Sequence, residues 1–219
     1  MTPDLAGIFA RTFCITLRTR EDRWKHFQRR MRLIDWPFAP IESVEAINGE
    51  ALPVPFWWRV GPGAWGCWWS HVRIWELAIS YRWPAVLILE DDAEFVGNFA
   101  DRATAFFAEV PADWQQIYFG GGATSDSRIA AISPLVARVA GIQLTHAYGI
   151  KLELLEQLYP YVFSAIGSRP GALPEQHIDQ QMGVFQLQSK LRFYAPRPPL
   201  AGQAAEFSDI ARRHTAFKP

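Results

Sequence analysis

Val86-Leu87-Ile88-Leu89-Glu90-Asp91-Asp92-Ala93-Glu94-Phe95 decides how this chain is read. Four apolar residues run into three adjacent carboxylates, with a fourth at Glu94. A continuous apolar run ended by a break signal reads as a strand buried on both faces. Such strands belong to parallel sheets, and ligands gather outside their carboxyl ends. No Lys or Arg lies between Trp83 and Gly97, so nothing local neutralises the acids. Two like charges ~4 Å apart repel by about 4 kcal/mol at an effective dielectric of 20. The carboxylates therefore splay into water, or one stays protonated, or a cation sits among them. Hard divalent ions such as Mg²⁺ and Mn²⁺ take oxygen ligands and are often shared with substrate phosphates. A solvated acidic turn is the plain alternative.

Working outward, the elements alternate. Ile8 to Leu17 contains a first strand, Arg11-Thr12-Phe13-Cys14-Ile15-Thr16-Leu17. A helix follows over Arg20 to Ile34, with Trp24, Phe27, Met31 and Ile34 on one face and a basic opposite face. Arg23, in its first turn, is expected beside a ligand phosphate. Ile41 to Ile47 is a short strand closed by the turn signal Asn48-Gly49. Ala51 to Gly63 is a loop, and Ala64 to Ser80 a helix with Trp68, His71, Val72, Trp75 and Ile79 sharing a face. A lone histidine on such a face is commonly a packed core residue. Beyond the acidic strand come a helix near Phe99 to Glu109 and a strand candidate, Trp114 to Phe119, running into three glycines. Strand-like stretches follow at Val136 to Ala140 and Gln143 to Leu152. A helix starts at Lys151 and reaches Tyr159, Ser164 to Glu175 is loop, His177 to Gln186 is helical, and Leu191 to Tyr194 is a last strand. A Pro-rich arm with few core residues ends the chain. The alternation makes the class α/β.

Bulk properties narrow the function. The chain has 219 residues, 49% hydrophobic and 20% charged, which suits one globular unit. Its 22 basic and 22 acidic residues cancel, which argues against nucleic acid as main partner. Two cysteines, Cys14 and Cys67, make neither a metal quartet nor a disulfide framework, and a reducing compartment fits. Met1 to Thr12 lacks a charged-then-apolar leader, and no apolar run approaches the ~18 residues of a membrane span. Seven of the ten tryptophans fall between Trp57 and Trp83. They suit a Trp-rich core, sugar stacking, or contact with a membrane surface.

Several blocks, in order from Arg11 to Ile210, resemble glycosyltransferase family 25, the lipooligosaccharide and procollagen galactosyltransferase group. Arg11 to Trp24 is similar to that family's opening strand and helix. Ala46-Ile47-Asn48-Gly49 resembles its Ala-x-Asp-Gly turn, and Gly66-Cys67-Trp68-Trp69-Ser70-His71 its Gly-Cys-x-x-Ser-His helix. Leu87 to Asp92 resembles its Ile-Leu-Glu-Asp-Asp strand. Thr145 to Tyr148, Ile178-Asp179, and Pro199-Leu200 with Gln203 and Phe207 to Ile210 resemble later blocks. Thr16, Arg18 and Asn48 depart from the family's Asn, acid and Asp.

The resemblance implies a GT-A-like nucleotide-binding sandwich with a mostly parallel central sheet. One domain over 1–219 is expected, with a donor half at about 8–110 and an acceptor half and C-terminal arm at about 111–219. It implies a metal-dependent, inverting transfer of a hexose, galactose or glucose, from a UDP-sugar to a hydroxyl of a glycan, glycolipid or glycoprotein, as in lipopolysaccharide biosynthesis. The cofactor is Mn²⁺ or Mg²⁺. Asp92 is the implied metal ligand, assisted by Glu90, with Asp91 meeting ribose or sugar. Thr16, Leu17 and Arg18 fall where base and ribose would be held, and Ser70 and His71 where the donor sugar would lie. Gln203, Ser208 and Asp209 would close over the diphosphate or add a metal contact. Asp179 is the candidate base, its alternative being a helix N-terminal acid. A cytoplasmic site, with the Trp-rich segment against the inner membrane face, is expected. The rivals are a nucleotidyl or phosphoryl transferase using the same carboxylates, and a non-catalytic carbohydrate- or nucleotide-binding protein of the same fold.

Overall fold

The computed structural model describes residues 3–167 and 177–204, and the backbone of 207–208 and 213–214. An eight-stranded sheet runs through it. Its strands are β1 (Arg11–Thr16), β2 (Ile41–Glu45), β3 (Ala85–Glu90), β5 (Gln116–Tyr118), β6 (Arg128–Ala131), β7 (Val136–Ala140), β8 (Ala147–Lys151) and β9 (Phe193–Pro196), in spatial order β2-β1-β3-β8-β5-β9-β7-β6. A separate pair, β4 (Ala93–Phe95) and β10 (Ala201–Gln203), flanks the end of β3. The helices are α1 (Glu21–Met31), α2 (Pro62–Ser80), α3 (Phe99–Glu109), α4 (Leu152–Gly167) and α5 (Ile178–Gln188).

The α/β class is as expected, and the sheet is mixed. β2-β1-β3 and β5-β9 are parallel, while β8 enters antiparallel between β3 and β5, and β7 and β6 continue antiparallel. The parallel block carries the acidic strand. Alternation along β3 explains its unbroken apolarity: Val86 and Ile88 point into one core, Leu87 and Leu89 into the other. The first core holds the tryptophans of α2 together with α4 and α5, and the second packs Phe27 of α1 and Phe99 and Phe106 of α3.

The Trp-rich segment is mostly core. Trp58, Trp65, Trp68 and Trp75 are buried, and Trp57, Trp69 and Trp83 pack against them. Trp65 stacks on Trp68 at 5.8 Å, and Trp68 Nε1 donates to Gln181 Oε1 of α5 at 3.0 Å. The tryptophans thus pack inward; the exposed aromatics nearby are Phe56 and Tyr81. No helix among the described residues is long and apolar enough to cross a membrane.

Other expectations shift. α2 starts at Pro62, after Gly61 at φ +87°, a Gly-Pro entry in which proline gives up an N–H that the first turn leaves unbonded anyway. α4 continues through Pro160 to Gly167, past Ser164, where a loop is expected to begin. β8 is confined to Ala147–Lys151, because Leu144, at φ +73°, turns the chain before it. The Pro-rich arm is not bare of core: Leu200, Ala201 and Ala204 are buried.

Candidate active site

The carboxyl ends of β1 and β3 lie side by side, with Ile15 opposite Glu90 in register. Thr16 therefore meets Asp91, and its Oγ1 donates to Asp91 Oδ2 at 2.8 Å. β1 hands the chain to α1, whose first turn carries Arg23 back over the same point. Arg23 Nη2 lies 2.5 Å from Asp91 Oδ1 and 3.0 Å from Asp92 Oδ2. Two turns further on along α1, Arg30 donates to the Asp91 carbonyl at 2.8 Å. The cation among the acids is thus a guanidinium supplied from far away in sequence. Arg23, expected beside a ligand phosphate, lines the cleft and is anchored on two carboxylates, a pairing that compensates the burial of Asp91, 5% exposed.

The opposite wall is built on two glycines. A Cβ on Gly66 would lie 2.3 Å from the Ile47 carbonyl oxygen, and one on Gly49 would lie 1.7 Å from the Pro62 carbonyl oxygen. The Asn48-Gly49 turn and the first turns of α2 therefore touch backbone to backbone. Ser70 fastens the joint, its Oγ accepting from Ile47 N at 2.8 Å and donating to Gly66 O at 2.7 Å. Ser70 faces the site, yet its hydroxyl is engaged in holding the turn. Asn48 Oδ1 accepts from Glu50 N at 3.0 Å, so this departure from the family's Asp keeps the turn's acceptor.

Between the walls sits Glu90. Thr145 Oγ1 donates to its Oε1 at 2.6 Å, and His71 Nε2 lies 3.4 Å from the same oxygen. Burial alone would raise this carboxyl; His71 and Thr145 beside it more than reverse that and bring it down to about 2, so Glu90 is ionised. His71 Nδ1 is 3.0 Å from Tyr148 Oη, which also accepts from Trp75 Nε1 at 3.0 Å. His146, on the other side, is driven down to about 4 by burial against the pull of Glu90, and is neutral near pH 7.

These groups enclose a cleft of about 460 Å³. It brings together Leu17, Arg23, Ser70, His71, Glu90, Asp91, Asp92 and Gln203 from the expected set, with Thr16 bonded to Asp91 at its edge. Gln203 arrives because β10 pairs with β4, directly after Asp92, and Ala204 N donates to Asp92 O at 2.8 Å. Two expected residues do not join. Arg18 is exposed and does not line the cleft, since β1 ends one residue after Ile15 and the chain turns outward. Asp179 does not line it either: its Oδ2 accepts from Leu144 N at 3.0 Å and its Oδ1 from Gln180 N at 2.8 Å, fixing the Leu144 turn. The Ser208 side chain and Asp209 lie outside the described residues.

Glu90 and Asp92, both lining the cleft, offer the oxygen donors a hard divalent ion takes. Asp91 does not, since both its oxygens are engaged by Thr16 and Arg23. Arg20, Gly49 and Cys67, to which no site role is given above, also line the cleft. The available signal for Cys67 was its spacing of four from His71, which places both side chains on one helix face.

A family model described as "Glycosyltransferase family 25 (LPS biosynthesis protein)" matches residues 9–126, the stretch that builds both walls. Over 92 residues the chain is 34% identical to a human protein named "Inactive glycosyltransferase 25 family member 3", covering 40% of this chain and 16% of that protein. It is 28% identical to mouse "Procollagen galactosyltransferase 2" over 138 residues, 54% of this chain and 21% of that protein. The chain thus spans about a fifth or less of the length of these relatives. A solved glycosyltransferase involved in glycosylating the major capsid of PBCV-1 superposes with a TM-score of 0.39 at 12% identity, over 75% of this chain and 70% of that one. By the family match over more than half its length, the chain belongs to glycosyltransferase family 25.

Proposed function

We propose that the chain is a glycosyltransferase that moves a hexose, galactose or glucose, from a UDP-sugar to a hydroxyl of a glycan or glycoconjugate acceptor, inverting the anomeric centre and depending on Mn²⁺ or Mg²⁺. One observation carries the reading: a cleft at the carboxyl ends of two parallel strands gathers Glu90 and Asp92 together with Arg20 and Arg23. In this reading Glu90 and Asp92 hold the ion. A bound divalent cation neutralises the charge that grows on the departing diphosphate. Thr16 and Leu17 flank the nucleotide, His71 borders the sugar, and Gln203 covers the phosphates. Asp91 positions Arg23 rather than meeting the donor. The free cysteines fit a cytoplasmic site of action.

The test is calorimetry of UDP binding with and without Mn²⁺, paired with transfer and hydrolysis assays on UDP-galactose and UDP-glucose. Asp92→Asn is expected to melt near the native temperature and to lose Mn²⁺-dependent UDP binding; unchanged affinity refutes the assignment. A second reading, binding without transfer, is favoured by the anchoring of Asp91 and Asp92 on Arg23. It forbids Mn²⁺-dependent breakdown of any UDP-sugar by the native chain.

A further inference from the structure

Three side chains of different chemistry converge in the cleft. Cys67 and His71 stand one turn apart on α2, Glu90 ends β3, and their Sγ, ring nitrogen and carboxylate oxygen all lie within 4.8 Å of one another. All three border the cleft. His71 is fully buried, and its Nε2 has no hydrogen-bond partner. The Glu90 oxygen at 3.4 Å is beyond the roughly 2.7–3.2 Å of a good N–H···O bond. Leaving a buried polar atom so is unfavourable. Two ligand atoms each about 2.0–2.1 Å from a tetrahedral ion are about 3.4 Å apart. His71 and Glu90 already stand at that separation.

Each of these two groups is also braced from behind. His71 Nδ1 sits 3.0 Å from Tyr148 Oη, which Trp75 pins at 3.0 Å, and Thr145 holds Glu90 at 2.6 Å. Bracing of the far ring nitrogen and of the carboxylate is the usual outer support of a metal centre. Arg23 answers the charge of Asp91 and Asp92, and no Lys or Arg ion pair to Glu90 is present among the described residues.

We propose that Cys67 Sγ, His71 Nε2 and Glu90 form a centre for a borderline-soft divalent cation of the zinc class, with its fourth position open to the cleft. A thiolate–imidazole–carboxylate set suits such an ion, whereas Mg²⁺ and Mn²⁺ take oxygen sets. On binding, the Cys67 S–H bond breaks, the sulfur–metal bond forms and the proton leaves to solvent. The open position accepts water or an oxygen of whatever occupies the cleft. The centre shares Glu90 with the hard-ion site read above and adds the Cys67 thiol and the His71 imidazole, and it stands whether or not the cleft transfers a sugar.

The test uses the full chain, stripped by chelator and titrated with Co²⁺ in the absence of nucleotide. Expected is a near-ultraviolet thiolate-to-cobalt charge-transfer band that saturates at one equivalent, is bleached by one equivalent of Zn²⁺ and is untouched by excess Mg²⁺. The chain has two cysteines, so the band is assignable: Cys67→Ser removes it and Cys14→Ser keeps it. Glu90→Gln, which leaves the thiol in place, weakens Co²⁺ binding at least tenfold. No band in the native chain, a band surviving Cys67→Ser, or undiminished Co²⁺ affinity in Glu90→Gln overturns the proposal. Failure of UDP-sugar transfer leaves this readout unmoved, because no nucleotide is present.

Discussion

At the scale of the residue, Arg23 does the most. Replacing it by Met leaves Asp91 and Asp92 facing each other with Asp91 buried, and breaking a buried pair from one side costs about 3–5 kcal/mol. Urea denaturation of Arg23→Met is expected to show that loss, and a loss under 1 kcal/mol would mean the pair is screened. Asp179 illustrates the opposite case. Its carboxylate clamps two backbone N–H groups, so Asp179→Asn is expected to lower stability by about 1 kcal/mol and to leave turnover within a few-fold. A collapse of turnover with donor binding retained would restore it as the base. The acids themselves were legible in the sequence, because four apolar residues lead straight into them. Their counter-ion was not, since nothing in a linear pattern joins Arg23 on α1 to Asp91 across the sheet.

At the scale of the element, the joint between the Asn48-Gly49 turn and α2 sets the width of the cleft. Both motifs stood out in the sequence, yet their meaning lay in their mutual contact, which spacing along the chain does not reveal. Gly66→Ala places a methyl 2.3 Å from a carbonyl oxygen, so the turn must back away. The expected cost is about 2–3 kcal/mol, with weaker ligand binding. Gly97→Ala, where no atom lies within 4 Å of the new methyl, is the matched control and is expected to stay within about 0.5 kcal/mol. Equal melting of the two variants would contradict the joint. Periodicity exposed α1, α2 and β3 well because each buries a regular face. β6 escaped because all four of its residues are exposed and it carries no apolar pattern. The antiparallel entry of β8 escaped because a strand's own sequence does not name its neighbour.

At the scale of the whole molecule, acid should weaken the fold in two stages. His146 titrates at about 4 when folded and near 6.5 when unfolded, so between those values the unfolded chain holds more protons. Its contribution is complete above about pH 6.5 and fades as pH falls toward 4, by at most about 1.4 kcal/mol per pH unit. Glu90 adds a second stage: its contribution is intact above the unfolded value near 4.3 and is lost as pH falls toward about 2. Urea midpoints across this range should show both slopes, His146→Asn flattening the upper one and Glu90→Gln the lower. Identical profiles in native and variant chains would rule the assignment out. The pairing of β10 with β4 carries a separate corollary for biosynthesis. The strand bearing the acids emerges from the ribosome more than a hundred residues before its partner, so an elongating chain halted short of Leu200 holds the carboxylates with one rim of the cleft absent. Competence at this centre is thus timed by translation, and premature-stop products should be inert however well their upstream sheet has settled.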